Sequence, residues 1–373
     1  MLAAKSDFIG LEGVAHLASG GQPPLLRAHQ GAFDAFARDK ARGMAGYDAH
    51  WQIGQEVKER LASLTKLEAG DFALIGNASE GIARVVSAID WQPGDNVVTS
   101  ALDYASGRYS FARLSELDVE ARLVPAEEWR IEPAGLIAAC DGRTRLVYVS
   151  QVNAHTGQRL DLAALSAPLQ DKGIALLVDA SHGLGVVPLE GALCDFMVAS
   201  TYKFLLGPHS GVLAWNRRRW PHFEPLAVGW HAAEAGEERG DYRLLPDARR
   251  AEIGNANHLD VYLLKTSLDF LAQVPAADVE RHVLDLGGRL RQALVEMGLE
   301  VITPEPAAER GPNIAFAHDA ARDLAELAAA ESILLWGEAG RLRASLHLFV
   351  EVADVARYLA WLPKGLAQVE GAR

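Results

Sequence analysis

The chain has 373 residues, of which 49% are hydrophobic and 23% charged, a composition typical of a soluble globular protein with two or three domains. The net charge of −13 argues against a nucleic-acid partner, because non-specific binding to a polyanion needs a basic surface. There is no apolar run near the ~20 residues of a membrane span, no apolar signal core, and no paired spacing among the cysteines or histidines, so we expect a cytoplasmic protein with no membrane contact, no disulfide framework and no metal site.

The first two thirds of the chain alternate short apolar runs with helical patterns, which predicts a parallel sheet with crossover helices. A helix is predicted over residues 51–66, where apolar residues recur at helical spacing, and another begins near Ser79. Strands are predicted at residues 71–76, 95–100, 145–150, 174–181, 195–200 and 211–216, the last at the far side of the same sheet.

The last third of the chain has a different pattern of apolar and charged residues. Residues 233–252 are charged and without a clear period, which indicates a surface excursion. After them the pattern predicts a smaller α+β module. Long amphipathic helices are predicted within 257–274 and 276–298, strands within 311–318, 332–338 and 341–349, and shorter helices within 320–330 and 353–362. We therefore expect a large domain over residues 16–250 and a small domain over residues 251–373 together with 1–15.

Polar residues follow two of the predicted strands. Asp179 ends one apolar run, and Ser200 and Lys203 follow the next. In open α/β sheets ligands bind at the carboxyl ends of the strands, so these side chains are expected to converge. A structural ion pair between Asp179 and Lys203 is the alternative.

A small-residue turn upstream favours a cofactor over an ion pair. The segment IGNASEGI, residues 75–82, joins a predicted strand to a predicted helix, and its backbone N–H groups with the Ser79 hydroxyl would bind a phosphate. A phosphate site, a lysine and a carboxylate together indicate pyridoxal 5'-phosphate (PLP). Its aldehyde condenses with a lysine, and its ring nitrogen is kept protonated by an acid.

With VDASHG (178–183) followed by STYK (200–203), the chain resembles the class V aminotransferase family of fold-type I PLP enzymes. This family includes cysteine desulfurases, selenocysteine lyases, kynureninase-like enzymes and isopenicillin-epimerase-like proteins, and the resemblance runs through roughly residues 16–360. It implies an α/β fold with a large, mostly parallel-sheet domain and a smaller α+β C-terminal domain. It also implies a homodimer with a shared active site.

The resemblance implies three catalytic residues. Lys203 matches the Schiff-base lysine that also shuttles a proton at the substrate α-carbon, and Asp179 matches the partner of the pyridine nitrogen. His182 stands where the family has Gln or His near the ring hydroxyl. Tyr104 occupies the position of an aromatic residue stacked on the cofactor ring.

The resemblance also implies residues that bind the cofactor or the substrate. Phosphate contacts are expected at Ala78, Ser79, Ser200 and Tyr202. Asn153 would face the cofactor, unless it is simply a turn residue. Asn255 replaces the threonine that reaches the phosphate of the neighbouring subunit. Arg343 matches the arginine that binds the substrate carboxylate, with an ordinary arginine at a strand edge as the alternative.

One departure from the family bears on the reaction. The desulfurases carry a nucleophilic cysteine on a loop before the C-terminal arginine, whereas residues 328–345 contain none and have Trp336 near that place. A persulfide-transferring desulfurase is therefore not expected. We predict an aminotransferase acting on an amino acid. A PLP-dependent lyase, of the selenocysteine/cysteine lyase or kynureninase type, or an epimerase is the alternative, and a non-catalytic descendant of the fold is a third reading.

Overall fold

A computed structural model describes residues 1–371 of the chain; residues 372 and 373, the last two of the predicted small domain, lie outside the described residues. The α-helices are α1 (His29–Lys40), α2 (Met44–Thr65), α3 (Ala78–Ser87), α4 (Ala105–Ala112), α5 (Pro133–Ala138), α6 (Leu162–Asp171), α7 (His258–Leu271), α8 (Ala276–Glu296), α9 (Ala321–Ala330) and α10 (Val352–Gly371). The strands are β1 (Ala15–His16), β2 (Phe72–Ile75), β3 (Asn96–Ser100), β4 (Glu120–Val124), β5 (Thr144–Ser150), β6 (Ala175–Asp179), β7 (Phe196–Ser200), β8 (Gly211–Trp215), β9 (Ala233–Ala235), β10 (Tyr242–Leu244), β11 (Asn313–Ala317), β12 (Ile333–Leu334), β13 (Trp336–Glu338) and β14 (Arg341–Ser345).

A seven-stranded sheet forms the centre of the molecule, in the order β2-β8-β7-β6-β5-β3-β4. Strands β7, β6, β5, β3 and β4 pair in parallel. Strand β8 is antiparallel to both of its neighbours, so β2 runs in the same direction as β7. The predicted α/β class and mostly parallel sheet are confirmed. The predicted strand at 211–216 is β8 and belongs to this sheet. It is not the outermost strand, because β2 lies beyond it at the edge.

The inner strands form because apolar residues run through them without alternation. All five residues of β6 and all five of β7 are buried, as expected for a sheet covered by helices on both faces. The predicted helical stripe of α2 also faces the core, where Val57 and Leu61 are fully buried. The observed register pairs Ser150 with Asp179, the last residues of β5 and β6, and so places both at the same edge of the sheet.

A second, smaller sheet has the order β11-β14-β13 and is antiparallel throughout. The N-terminal segment packs with this part of the chain: β1 pairs with β12, and Lys5 forms an ion pair of 2.6 Å with Asp354 of α10. Helix α7, in contrast, packs against α1 and α2. The domain boundary near residue 250 stays a prediction.

The charged segment 233–252 contains a two-stranded hairpin, β9 with β10, which the sequence analysis did not predict. Each strand has three residues, and their side chains are exposed or half-buried. Strands this short and this exposed give no alternating apolar pattern. Elsewhere, none of the helices in residues 1–371 combines the length and apolar content that a membrane span requires.

Candidate active site

Four parallel strands bring polar side chains to one edge of the central sheet. Ser200, Asp179, Ser150 and Ser100 are the last residues of β7, β6, β5 and β3, which are neighbours in that order. Lys203 lies three residues beyond β7. The convergence expected from the sequence is therefore a consequence of the sheet order.

Lys203 is a buried amine without a bonded carboxylate. Its side chain is 7% exposed, and its Nζ lies 3.2 Å from Nε2 of His182 and 5.4 Å from the ring centroid of Tyr104. Burial and, to a smaller extent, the positive charge of Arg343 lower the pKa of Lys203 to about 8, against the opposing effect of the Asp179 carboxylate. No ion pair within 4 Å involves this amine among the described residues. About a tenth of the Lys203 amine is thus uncharged and nucleophilic at pH 7, far more than for a lysine of ordinary pKa.

Asp179 is held in place by two hydrogen bonds. Its Oδ1 accepts from the backbone N–H of Ser181 at 2.9 Å, and its Oδ2 accepts from the hydroxyl of Tyr148 at 3.2 Å. Burial and the neighbouring carboxylates raise the pKa of Tyr148 well above its usual value, so the phenol remains a donor. Both contacts fix the position and orientation of the carboxylate.

His182 connects the two sheets. Its Nε2 faces Lys203, and its Nδ1 lies 3.0 Å from the amide nitrogen of Asn313, the first residue of β11 in the small sheet. Burial and the positive charges of Lys203 and Arg343 lower the pKa of His182 well below its usual value. The imidazole is therefore neutral in the cleft.

The turn before α3 lies open to solvent at the same edge of the sheet. The side chain of Asn77 caps the helix by accepting from the N–H of Glu80. Asn77 and Ser79 are exposed, and the Ser79 hydroxyl donates to Ser106 at 2.7 Å. A Cβ at Gly211 would lie 2.5 Å from the backbone of Asn77, so a glycine on β8 allows this turn to pack closely. The free N–H groups and the helix dipole suit a phosphate.

Three other predicted residues flank this site. Ala78 is the first residue of α3. Ser200 donates its backbone N–H to the Ser181 hydroxyl at 2.9 Å. The ring of Tyr202 stacks on that of His209 with centroids 4.3 Å apart, and also lies 5.7 Å from Nζ of Lys203. These positions are compatible with phosphate contacts, which stay predictions.

Two predicted residues do not contact Lys203. The Asn153 side-chain amide bonds its own loop and a neighbouring one. Its Oδ1 accepts from the N–H groups of His155 and Thr156, and its Nδ2 donates to the Leu102 carbonyl in the loop after β3. This arrangement is that of a turn asparagine, the alternative in the sequence analysis. Asn255 is exposed, and its Oδ1 accepts from the Tyr47 hydroxyl at 2.6 Å. Roles for both toward a cofactor stay predictions.

Arg343 lies on the small sheet and points into the cleft. It is 3% exposed, donates to the Ala154 carbonyl at 2.6 Å, and stacks on Trp336 with its guanidinium carbon 4.6 Å from the ring centroid. Burial lowers the pKa of Arg343 to about 9, and the charge of Arg341 contributes. Arg343 is therefore a buried cation on the central strand of the small sheet, and its role as the carboxylate-binding residue stays a prediction.

Some residues that position the predicted site residues were not identified from the sequence. Tyr148, which bonds Asp179, is a polar residue inside the apolar run of β5, and this could have drawn attention to it. Asn313 opens an apolar strand in the same way. Gly20 gave no signal, yet a Cβ there would lie 2.7 Å from Oγ of Ser345, 3.0 Å from Cε1 of His182 and 3.1 Å from Arg343.

The residues present fit PLP. The α3 turn offers N–H groups and a hydroxyl to a phosphate, Lys203 offers a nucleophilic amine, and Asp179 offers a fixed carboxylate. The ring of Tyr104, 45% exposed, borders the open side of the cleft. Each chemical part of the cofactor therefore has a complementary group at this edge of the sheet.

Comparison with known proteins identifies the family. The family described as Aminotransferase class-V matches residues 26–357. Kynureninase from Deinococcus radiodurans is 28% identical over 333 residues, covering 86% of this chain and 80% of that protein. Isopenicillin N epimerase from Streptomyces clavuligerus is 28% identical over 334 residues, covering 82% and 84%.

The fold agrees with a solved structure as well. The apo structure of cysteine desulfurase from Thermococcus onnurineus NA1 aligns with a TM-score of 0.87 at 19% identity, over 97% of this chain and 96% of that one. This likeness shows a shared fold. Together with the matched family, it confirms the predicted resemblance: the chain belongs to the class-V aminotransferase family of fold-type I PLP enzymes.

Proposed function

We propose that this PLP enzyme is an aminotransferase that acts on an amino acid through Lys203. The observation that carries the proposal is the state of the Lys203 amine. It is buried, its pKa is lowered to about 8, and its hydrogen-bond neighbour is a neutral histidine rather than an acid. An amine in that state can both bond to an aldehyde and move a proton, and transamination needs those two abilities.

When bound, the cofactor supplies an aldehyde and an electron-withdrawing ring. The first turn of α3 and the Ser79 hydroxyl would bind its phosphate through hydrogen bonds and the helix dipole. Asp179, held by Ser181 and Tyr148, would keep a proton on the ring nitrogen. Tyr104 would limit the space at the open side and orient the ring.

With cofactor and substrate bound, Nζ of Lys203 would take the α-proton of the substrate and hold it inside the cleft. Neutral His182 would accept from or donate to Nζ without introducing a second charge, and Asn313 fixes the orientation of its ring. Arg343 would bind the substrate carboxylate through its planar fork. Transamination moves one proton between two carbon atoms, so a single amine that can take and return a proton is sufficient.

The alternative is a lyase or an epimerase, as the names of the two relatives suggest. A desulfurase that uses a cysteine nucleophile is not proposed. The two cysteines are Cys140 and Cys194, and burial raises the pKa of both thiols. Both lie in other parts of the chain than Arg343 and cannot supply a thiolate there.

We also propose a homodimeric, cytoplasmic enzyme with the domain division near residue 250. A cavity of about 380 Å³ lies between the α3 turn and the 251–257 segment, with Gly76, His209 and Asn255 in its lining. Because Asn255 is exposed, a second subunit could be contacted from this side. Light scattering of the purified protein will give the mass. A monomer in the presence of PLP would refute the shared site.

The decisive experiment is a single-turnover screen of amino acids with the PLP-loaded protein. An aminotransferase will release one equivalent of 2-keto acid and no ammonia, and a second keto acid will restore the original absorption spectrum. Continuous release of ammonia with pyruvate, or of alanine, would show a lyase. Exchange of the α-proton with deuterated water and inversion of the substrate, with no keto acid, would show an epimerase.

A further inference from the structure

The wall of the cleft formed by the small sheet carries more positive charge than one substrate carboxylate requires. Arg341 and Arg343 alternate along β14 and therefore lie on the same face, roughly 7 Å apart along the strand. Both guanidinium groups stack on the indole of Trp336, with their carbons 4.8 and 4.6 Å from its centroid. Trp336 pairs directly with Arg343 across the β13–β14 register.

Neither arginine is neutralised by a carboxylate in the part of the chain that the structure describes. Arg341 is 5% exposed, its Nη1 donates to the Ala339 carbonyl, and its buried Nε has no partner. The Nε of Arg343 is likewise buried and without a partner. Glu338 faces Arg341 in the register, but it is exposed and does not approach within ion-pair distance.

A third arginine approaches from the large domain. Arg108 lies on α4, one turn after Tyr104, and its Nε is also buried without a hydrogen bond. Arg343 donates to the carbonyl of Ala154, the residue before His155. Burial and the positive charges of Arg341, Arg343 and Arg108 lower the pKa of His155 to about 3. Positive charges on α4 and on β14 therefore act on the same histidine.

Desolvated guanidinium groups without counter-ions are costly, and an anion that binds between them recovers that cost. The α-carboxylate of the substrate occupies Arg343 and leaves the other two unsatisfied. We infer that Arg341, with Arg108, binds a second anionic group on the substrate side chain, so that the substrate is a dicarboxylic amino acid or another amino acid with a short acidic side chain. This inference rests on the proposed function for the role of Arg343.

The test separates anion binding from catalysis by using ligands that cannot react. Calorimetric titration of the PLP-loaded protein with glutarate and with butyrate compares two carboxylates with one on chains of similar length. We expect glutarate to bind at least about tenfold more tightly, since each charge-assisted contact contributes strongly in a buried site. Equal affinity for the two ligands would overturn the inference.

Substitutions then locate the second contact. Arg341→Gln is expected to weaken glutarate binding about tenfold and to leave butyrate binding unchanged, and Arg341→Lys to have an intermediate effect because it keeps the charge and loses the fork. Arg108→Gln tests the same site from another helix, and Arg322→Gln, on an exposed residue of α9, is the matched control. An equal loss for both ligands in Arg341→Gln would overturn the inference.

Turnover provides the last comparison. If the inference holds, kcat/KM for aspartate or glutamate exceeds that for asparagine or glutamine, and Arg341→Gln reduces this ratio about tenfold. Tight glutarate binding through Arg341 with no reaction of any amino acid would refute the proposed aminotransferase and support the second anion site. Preference for the amide substrates would refute the second anion site and leave the aminotransferase standing.

Discussion

The two walls of the cleft differ in how their charged side chains are satisfied. On the large-sheet wall, Asp179 accepts two hydrogen bonds, and Lys203 is paired with a neutral imidazole. On the small-sheet wall, Arg341 and Arg343 retain buried N–H groups with no partner in residues 1–371. The charged groups of the first wall are satisfied without a ligand, whereas the two guanidinium groups of the second are not.

This difference follows from where the two sets of groups lie. Asp179 and Lys203, the groups proposed for the cofactor chemistry, are held by strand ends and fixed hydrogen bonds, so their geometry is built into the large sheet. Arg341 and Arg343, the groups proposed to bind the substrate, lie on the small sheet and depend on how it packs against the large one. His182 and Asn313, which bond across the boundary at 3.0 Å, join the two walls.

The largest effect is expected from Lys203→Ala. If the large-sheet wall carries the common chemistry, removal of its amine should lower kcat about a thousandfold, the range of a lost acid–base group. The absorption band of the covalent Lys203 adduct should disappear while PLP still binds, and borohydride should no longer attach the cofactor covalently to the protein. Added methylamine should restore part of the activity.

The matched control is Lys66→Ala, a lysine that is 73% exposed and pairs with Glu190 at the surface. It should leave both the spectrum and kcat unchanged. Undiminished turnover by Lys203→Ala would remove the basis of the proposed function.

The pH dependence of reconstitution tests whether the two walls communicate. The amine is a nucleophile only when deprotonated, and the pKa of Lys203 is lowered to about 8. The rate at which apo protein acquires the visible band should therefore rise about tenfold per pH unit below 8 and level off above it, roughly a hundredfold in all between pH 6 and 9.

Arg343→Gln tests whether the opposite wall contributes to the pKa of Lys203. The guanidinium of Arg343 lowers the pKa of Lys203 across the cleft, so its removal should move the midpoint to higher pH. Stopped-flow absorbance over a pH series gives both midpoints. A midpoint near 10.5, the value of an ordinary lysine, would show that the amine is solvated and that the walls do not close around it.

The same difference explains how much could be predicted from the sequence. The large-sheet wall follows from local patterns: buried apolar runs predict the strands, and the residue after each run, such as Asp179, is placed at the common edge by the sheet order. The α3 turn was recognisable from IGNASEGI because small residues at a strand–helix junction are a local signal. The fold class was predictable for the same reason.

The small-sheet wall could not be derived in this way. Arg343 was found through family resemblance, and its neighbour Arg341 was not singled out, because nothing local distinguishes an inward arginine from one at a strand edge. The contact of Asn313 with His182 joins residues 131 positions apart, and depends on how two sheets dock. The hairpin at 233–244 was missed because short exposed strands carry no apolar period.

Gly20→Ala tests the packing between the walls without altering a charged group. The added methyl group would lie 2.7 Å from Oγ of Ser345 and 3.1 Å from Arg343, so these side chains must shift by a few tenths of an ångström. We expect kcat/KM to fall about tenfold, mainly through KM, because a small displacement of a bidentate contact is costly. Steady-state kinetics with the preferred substrate will measure this effect.

The neighbouring glycine offers a matched control. A Cβ at Gly21 would meet nothing nearer than the Ala18 carbonyl at 3.5 Å, which is ordinary contact. Gly21→Ala should therefore leave KM unchanged. Equal effects of the two substitutions would point to a general loss of loop mobility instead of a shift of Arg343.

The smallest expected effect is that of Tyr148→Phe, which removes one donor to Asp179 and leaves the ring packed against Phe111. The apo protein should lose about 1 kcal/mol of unfolding free energy, the net contribution of a typical hydrogen bond, in urea titrations at neutral pH. Tyr109→Phe is the matched control, because it removes a phenol hydroxyl from a residue of α4 that is 73% exposed. It should leave the unfolding free energy unchanged. Since Asp179 would keep its bond from Ser181, activity should fall less than in Gly20→Ala. The two losses are compared as free energies, of activation and of unfolding. If the loss in activation free energy is the larger, the phenol changes the reactivity of the carboxylate and does not only hold it in place. The large-sheet wall would then be less complete before ligand binding than its hydrogen bonds indicate.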